Sequence, residues 1–197
     1  MGALSTAARS GVTLLAMLLT QVSVLDEVLS TYSHALGDDY TGYRNHTYRV
    51  LNLCAALTTT TTRDPKTVEK LAVAVAFHDL GIWSAGTFDY LEPSMKLARA
   101  HLERAGQSAW TPEVDAMILE HHKLSRYTSE PGWLVEPFRK ADWIDVSMGV
   151  LTFGLPRGLI REISAAFPDA GFHARLVQLS LKRLRTHPFD PLPVLRR

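Results

Sequence analysis

Along almost the whole chain, apolar positions recur every three to four residues, the period of an α-helix that packs on one face. Val22, Leu25, Val28 and Leu29 continue a pattern that begins near Ser10, so a first helix is expected from Ser10 to Leu36, ended by Gly37-Asp38-Asp39. A second begins between Asp39 and Gly42 and carries Arg44 to Leu57. The threonine run Thr58 to Thr62 is a poor helix former because of β-branching and reads as a loop. Asp64-Pro65 restarts the helix, with Asp as cap and Pro at the first helical position. Val68, Leu71, Ala72 and Val75 then form an apolar face that leads to His78 and Asp79. Gly81 to Glu92 reads as an aromatic loop hinged at Gly86. Helices are expected from Pro93 to Gly106, from Thr111 to His122, and from Phe138 to Phe153. A loop with Pro131 and Gly132 separates the last two, and Gly154 and Pro156 end the third. Two more follow, Gly158 to Ala166 and Ala170 to Arg185, before an extended tail at 187–197 with three prolines. No segment alternates cleanly enough for a strand. The pattern predicts an all-α fold, one domain over 1–197 with about seven to nine helices, in which 1–37 forms an N-terminal packing helix.

Composition narrows the picture without changing it. The chain has 197 residues, 46% apolar and 21% charged, which suits one globular domain with a sizeable core. The formal net charge of +1 sets up no global field toward a nucleic-acid polymer or an anionic membrane, so neither is an expected partner. Cys54 is the only cysteine and lies in an apolar helical run with Val50, Leu51, Leu53 and Leu57, which reads as inert core in a reducing cytoplasm. Arg9 followed by Val12 to Leu19 has the charge and apolar length of a signal peptide. No small-x-small cleavage site follows and the helical pattern runs on, so an amphipathic first helix is expected instead. No run approaches the ~20 apolar residues of a membrane span.

The candidate chemistry lies in the histidines. His46, His78 with Asp79, His101, His121 or His122, and Asp142 fall on different predicted helices, each with apolar neighbours at helical spacing. For His78-Asp79 alone, a capped helix end is a sufficient account. Several buried histidines with no common purpose are an odd use of a costly side chain, and a shared metal site gives them one cause. Adjacent helical residues lie about 100° apart and do not face each other, yet they can converge on an ion beside a helix end. A nitrogen and oxygen donor set without thiolates suits Fe, Mn, Co, Ni or Zn better than Ca. Asp145, at i+3 from Asp142, is placed to orient a ligand or to pair with Lys140. His34, His173 and His187 fit no pattern.

The order His, His-Asp, His, His, Asp on successive helices resembles the HD superfamily of metal-dependent phosphohydrolases. The matching pieces, within residues 40 to 150, are Tyr43-Arg44-Asn45-His46-Thr47-Tyr48-Arg49-Val50, Ala76-Phe77-His78-Asp79-Leu80-Gly81, Glu120-His121-His122-Lys123 and Ala141-Asp142-Trp143-Ile144-Asp145. The resemblance implies an HD-domain-like bundle with His46, His78, Asp79 and Asp142 as metal ligands. It implies a dinuclear divalent centre, iron foremost and Mn, Co, Ni or Zn as alternatives, with Asp79 bridging and His101 and His121 as the extra ligands. The implied activity is hydrolysis of a small phosphate ester or nucleotide by a metal-activated water. Asp79, His122 and Lys123 are then the catalytic candidates, the last two as proton donors to the leaving oxygen. Arg44, Trp83, Lys123 and Lys140 are the substrate-binding candidates, with Arg126, Phe88 and Tyr90 flanking them. The same ligand order occurs in di-iron oxygenases that resemble myo-inositol oxygenase. Those place a Lys or His shortly after the His-Asp pair, where this chain has Leu80-Gly81-Ile82-Trp83. The Gly-Tyr-Pro signature of the cyclic dinucleotide phosphodiesterase branch is also lacking. A non-catalytic helical metal-binding module is a third expectation. The apolar first helix adds a homodimer as a further expectation.

Overall fold

The computed structural model describes residues 18–58 and 64–186. The fold is all-α: among the described residues there are eight helices of nine residues or more, two single-turn α-helices, two 3₁₀ turns (Gly37–Asp39 and Ser108–Trp110) and no strand. In chain order the α-helices are α1 (Ser23–Thr31), α2 (Ser33–Leu36), α3 (Tyr40–Leu57), α4 (Pro65–Phe77), α5 (Gly81–Ser84), α6 (Leu91–Arg104), α7 (Thr111–Glu120), α8 (Val135–Val146), α9 (Arg157–Ala166) and α10 (Phe172–Thr186). Helices α3, α4, α7 and α8 pack in a closed ring, each against the next, and α3 lies longest against α8. The others surround that ring: α1 lies on α4, α6 on α4 and α7, and α9 and α10 on α3. Their apolar faces meet in one core that includes Leu25, Leu51, Leu71, Phe77, Met117, Phe138 and Ile144.

Most helix starts follow local chemistry. Asp64 caps α4 by accepting a hydrogen bond from the Thr67 backbone N–H at 3.0 Å, and Pro65 fills the first position. Three boundaries differ from expectation. The first helix begins at Ser23, not Ser10, and breaks at Tyr32; residues 1–17 lie outside the described set. Residues 18–22 are not helical because their peptide groups are bonded elsewhere. Asn52 Oδ1 accepts from the Leu19 N–H at 2.8 Å, Asn52 Nδ2 donates to the Leu19 carbonyl at 3.0 Å, and Tyr48 Oη accepts from the Val22 N–H at 3.0 Å. The aromatic loop is shorter than expected, because α5 occupies its start and α6 begins at Leu91. The α8 helix starts at Val135 and stops at Val146, well short of Phe153. It ends in a Schellman motif, in which Met148 N–H bonds the Asp145 carbonyl and Gly149 N–H the Ile144 carbonyl, both at 2.8 Å. The expected threonine-run loop (from Thr59) and the tail at 187–197 lie outside the described residues. No helix among the described residues is long and apolar enough to cross a membrane.

Candidate metal centre

The ring of four helices holds the cluster. His46 projects from the middle of α3, and His78 and Asp79 occupy the turn that follows α4. His121 and His122 follow the last residue of α7, and Asp142 lies on α8. Because His78 and Asp79 sit past the helix end, their neighbouring side chains converge. His46, His78, Asp79, His121 and Asp142 are all buried.

Three imidazoles are oriented through Nδ1. His46 Nδ1 meets Asp145 Oδ2 at 2.7 Å, His78 Nδ1 the Val75 carbonyl at 2.9 Å, and His121 Nδ1 the Ile118 carbonyl at 2.6 Å. Each outer contact takes the Nδ1 proton and leaves Nε2 as a lone pair aimed inward, the arrangement that second-sphere acceptors impose on metal-binding histidines. His46 and His78 thus present Nε2 to Nε2 at 2.9 Å. Two lone pairs at that distance repel unless a cation, a proton or a metal ion, lies between them. Asp79 Oδ2 stands 3.4 Å from His78 Nε2 and 3.7 Å from His46 Nε2, and Asp142 Oδ1 stands 3.7 and 3.8 Å from the same atoms. Donors bound to one ion at ~2.0–2.2 Å lie roughly 3–3.5 Å apart. The spacings are close to that, with a small contraction still to make.

A second grouping shares a residue with the first. Asp79 Oδ1 stands 3.3 Å from His121 Nε2, and Asp79, His121 and His122 form a potential ligand set alongside His46, His78 and Asp79. His122 turns Nδ1 toward Asp142 Oδ2 at 3.7 Å and places Nε2 2.5 Å from Tyr90 Oη. Its side chain is 21% exposed, so the cluster opens to solvent there. Asp79 Oδ1 and both Asp142 oxygens are buried without a hydrogen-bond partner. Such acceptors cost ~1–3 kcal/mol or more, and a cation satisfies them together. The orphaned oxygens, the inward lone pairs and the donor chemistry all fit a divalent ion.

Charge in the cluster follows from these contacts. Burial would lower the His78 pKa, but the Asp79 and Asp142 carboxylates outweigh it and raise it to about 9. Burial lowers the pKa of His46, and lowers that of His122 to about 4 with help from His121. Tyr90 is held well above its ordinary value by burial and then by the Asp79 carboxylate, so it keeps its proton. Asp145 stays ionised despite burial because His46 and Arg49 favour its charge.

His101 is not brought to the cluster. It is half-buried on α6, its ring 5.5 Å from Phe77, and the charges that act on it are those of Arg104, Glu27 and Glu69. His122 occupies the place expected of it. The substrate-binding candidates are also engaged elsewhere. Arg44 pairs with Asp26 at 3.1 Å, and the Trp83 indole N–H donates to Asp39 at 2.9 Å while its ring packs on Tyr43. Lys123 pairs with Glu120 at 2.7 Å and Lys140 with Glu136 at 3.5 Å, each one helical turn away. Asp145 bonds His46 and Arg49, not Lys140. His173, for which no role was expected, bonds Asp169 and the Asp145 carbonyl.

Sequence reasoning missed two contributors, Arg49 and Tyr43, and gave Tyr90 only a flanking place. Arg49 donates from Nε and Nη2 to the two Asp145 oxygens at 2.5 and 2.9 Å, and from Nη1 to the Phe167 carbonyl. Its signal was available, a charged residue at i+3 from His46 inside an apolar run. Tyr43 donates to the Ala76 carbonyl at 3.0 Å and lies beside His46 and His78, and Tyr90 contacts His122. Tyr43 carries no sequence signal that separates it from core, whereas Tyr90 belongs to the aromatic loop that follows the His-Asp pair. Two clefts, of about 540 and 320 Å³, include none of the candidate ligands, although the smaller is lined in part by Arg49 and Asp145 behind His46. Comparison of the chain with protein-family models, with curated proteins and with solved structures finds no match.

Proposed function

We propose that this chain is a metal-dependent hydrolase of small phosphate esters or nucleotides with a dinuclear centre, as the HD resemblance implies. The observation that carries the reading is the division of Asp79, one oxygen toward His46 and His78 and the other toward His121. Six protein groups gathered this way exceed what one structural ion takes. The ligands in this reading are His46, His78, Asp79, His121, His122 and Asp142, with iron foremost and Mn, Co, Ni or Zn as alternatives. Bound ions supply a water acidified toward neutrality and positive charge for the phosphoryl oxygens.

The chain's own groups do the rest. Asp145, the Val75 carbonyl and the Ile118 carbonyl fix the three imidazole orientations before any ligand arrives. Phe138 and Phe172 pack on His78 and His46 and keep bulk water from that side. Substrate enters beside His122, the exposed member. Tyr90, uncharged and within hydrogen-bond reach of His122, is the O–H from which a leaving oxygen takes its proton. That role passes to Tyr90 because Lys123 is paired with Glu120.

Elemental analysis of protein purified without chelator or nickel resin tests the centre, and a panel of nucleotides and phosphate esters tests the chemistry. Two ions per chain are expected. His122→Ala is expected to lose about half the metal, and His101→Ala none. One ion or fewer in the wild type sinks the dinuclear reading. Metal-replete protein that releases no phosphate or monoester sinks the hydrolase reading, and substrate-dependent oxygen uptake would replace it with the oxygenase.

A further inference from the structure

The segment that follows α8 gathers several exposed large apolar side chains. Within six residues, Met148 is 76% exposed, Val150 72%, Leu151 42% and Phe153 40%. Leu124, 78% exposed, lies nearby: Arg139 donates to the carbonyl of its neighbour Lys123 and sits 5.9 Å from the Phe153 ring. Single exposed leucines are common, whereas a contiguous apolar patch marks an interaction site. The backbone supports the same conclusion. Met148 and Phe153 have φ of 51° and 44°, in the left-handed region that disfavours side chains of this size. Glycine would be the stable choice at Met148, the position of the Schellman motif where it is ordinarily found. The chain instead presents a long apolar side chain to water.

We propose that the 147–154 loop inserts into the surface of an anionic lipid bilayer. Charge favours lipid. From Ser147 to Arg161 the chain has no carboxylate and two cations, Arg157 and Arg161. Arg157 is tied to the loop through the Gly149 carbonyl at 3.2 Å. Apolar tips rimmed by cations are the arrangement that seats a protein at the headgroup boundary of anionic membranes. A second copy is the weaker occupant. The loop's four exposed apolar side chains and Leu124 alone fall well short of the ~800 Å² per partner of a stable interface. The low net charge and the lack of a spanning run, which argued against a membrane partner, do not register a local patch of this kind.

The test is sedimentation of the full chain with vesicles of phosphatidylcholine alone or doped with phosphatidylserine. Cosedimentation with the anionic vesicles is expected, weakened by high salt and about ten-fold by Val150→Asp or by Arg157→Glu. Val150 is exposed, so Val150→Asp should leave the melting temperature unchanged; Arg157→Glu also releases the Gly149 carbonyl, so Arg161→Glu serves as its control, and Leu151→Ser gives a second, milder apolar test. Absence from both vesicle pellets overturns the proposal, as does equal sedimentation of Val150→Asp. Equal binding to neutral vesicles overturns its anionic component. A concentration-dependent dimer by light scattering that Val150→Asp abolishes, without vesicle binding, assigns the patch to a second copy instead.

Discussion

His46 shows how a buried ligand is made ready. Asp145 takes its Nδ1 proton, and Arg49 grips both Asp145 oxygens while donating to the Phe167 and Pro168 carbonyls. The chain His46–Asp145–Arg49 is buried throughout, so its charges are paired within the protein. Asp145→Asn removes the charge that matches Arg49 and leaves one oxygen where two were used. Metal affinity is expected to fall 10–100-fold, read by competition with a chromogenic chelator. An unchanged affinity would make Asp145 a packing residue only. Cys54 gives a simpler case. It is fully buried, and burial pushes its thiol up to about 12, so it carries no thiolate at neutral pH. A thiol reagent at about pH 8, close to the ordinary thiol pKa, should leave the folded protein unlabelled and label it fully in denaturant. Rapid labelling of the native state would contradict the packing of α3.

At the scale of elements, periodicity was a good guide wherever a helix has one apolar and one polar face. The spans of α3, α4, α7, α9 and α10 follow it to within a few residues, because burial and local propensity agree there. It failed where tertiary bonds take over the backbone, as Asn52 and Tyr48 do at residues 18–22, and where apolar residues face water, as after α8. The cluster was legible through its order of residue types. His101 could not be told from His122 by periodicity, since both have apolar neighbours and only the packing of α6 on α7 separates them. Gly81 carries a constraint that no helix pattern reveals. A Cβ there would lie 2.4 Å from the Tyr90 carbonyl oxygen and 2.8 Å from Ser94 Oγ. Gly81→Ala should therefore push the start of α6 away from the His-Asp turn, cost about 1–3 kcal/mol and move Tyr90 off His122. Urea unfolding and metal content together check this, and a variant as stable as wild type would mean α6 yields freely. Met148→Gly should act in the opposite direction. Relief of the left-handed strain is worth about 1 kcal/mol, or a rise of about 2–4 °C in Tm for a chain of this size. A fall in Tm would show that the Met148 side chain stabilises the fold by contacts its exposure does not suggest.

For the molecule as a whole, the cluster is the joint between α3, α4, α7 and α8, and the occupant of the joint decides how stability responds to pH. In the metal-free protein a proton is that occupant. His78 gives its Nδ1 proton to the Val75 carbonyl and its Nε2 proton to His46 Nε2. Although burial opposes this, the Asp79 and Asp142 carboxylates hold the His78 pKa at about 9, against about 6.5 in the unfolded chain. A raised folded-state pKa gives stability that is complete below the unfolded value and is lost as pH climbs through the folded one. Metal-free protein should therefore become less stable from about pH 6.5 to about pH 9 because of His78. A metal ion needs the same imidazole neutral, so binding must expel that proton and tightens as pH rises. In metal-loaded protein the tighter binding offsets that loss, so its stability should stay nearly level over the same interval. Saturation at about 100 times Kd adds roughly 2.7 kcal/mol, or about 5–10 °C in Tm. Melting curves at several pH values, with chelator and with saturating metal, should lie close together at low pH and diverge as pH rises, and titration calorimetry in two buffers should register proton release on binding. Parallel slopes, or binding without proton release, would remove His78 from the ligand set and with it the common cause for the buried histidines.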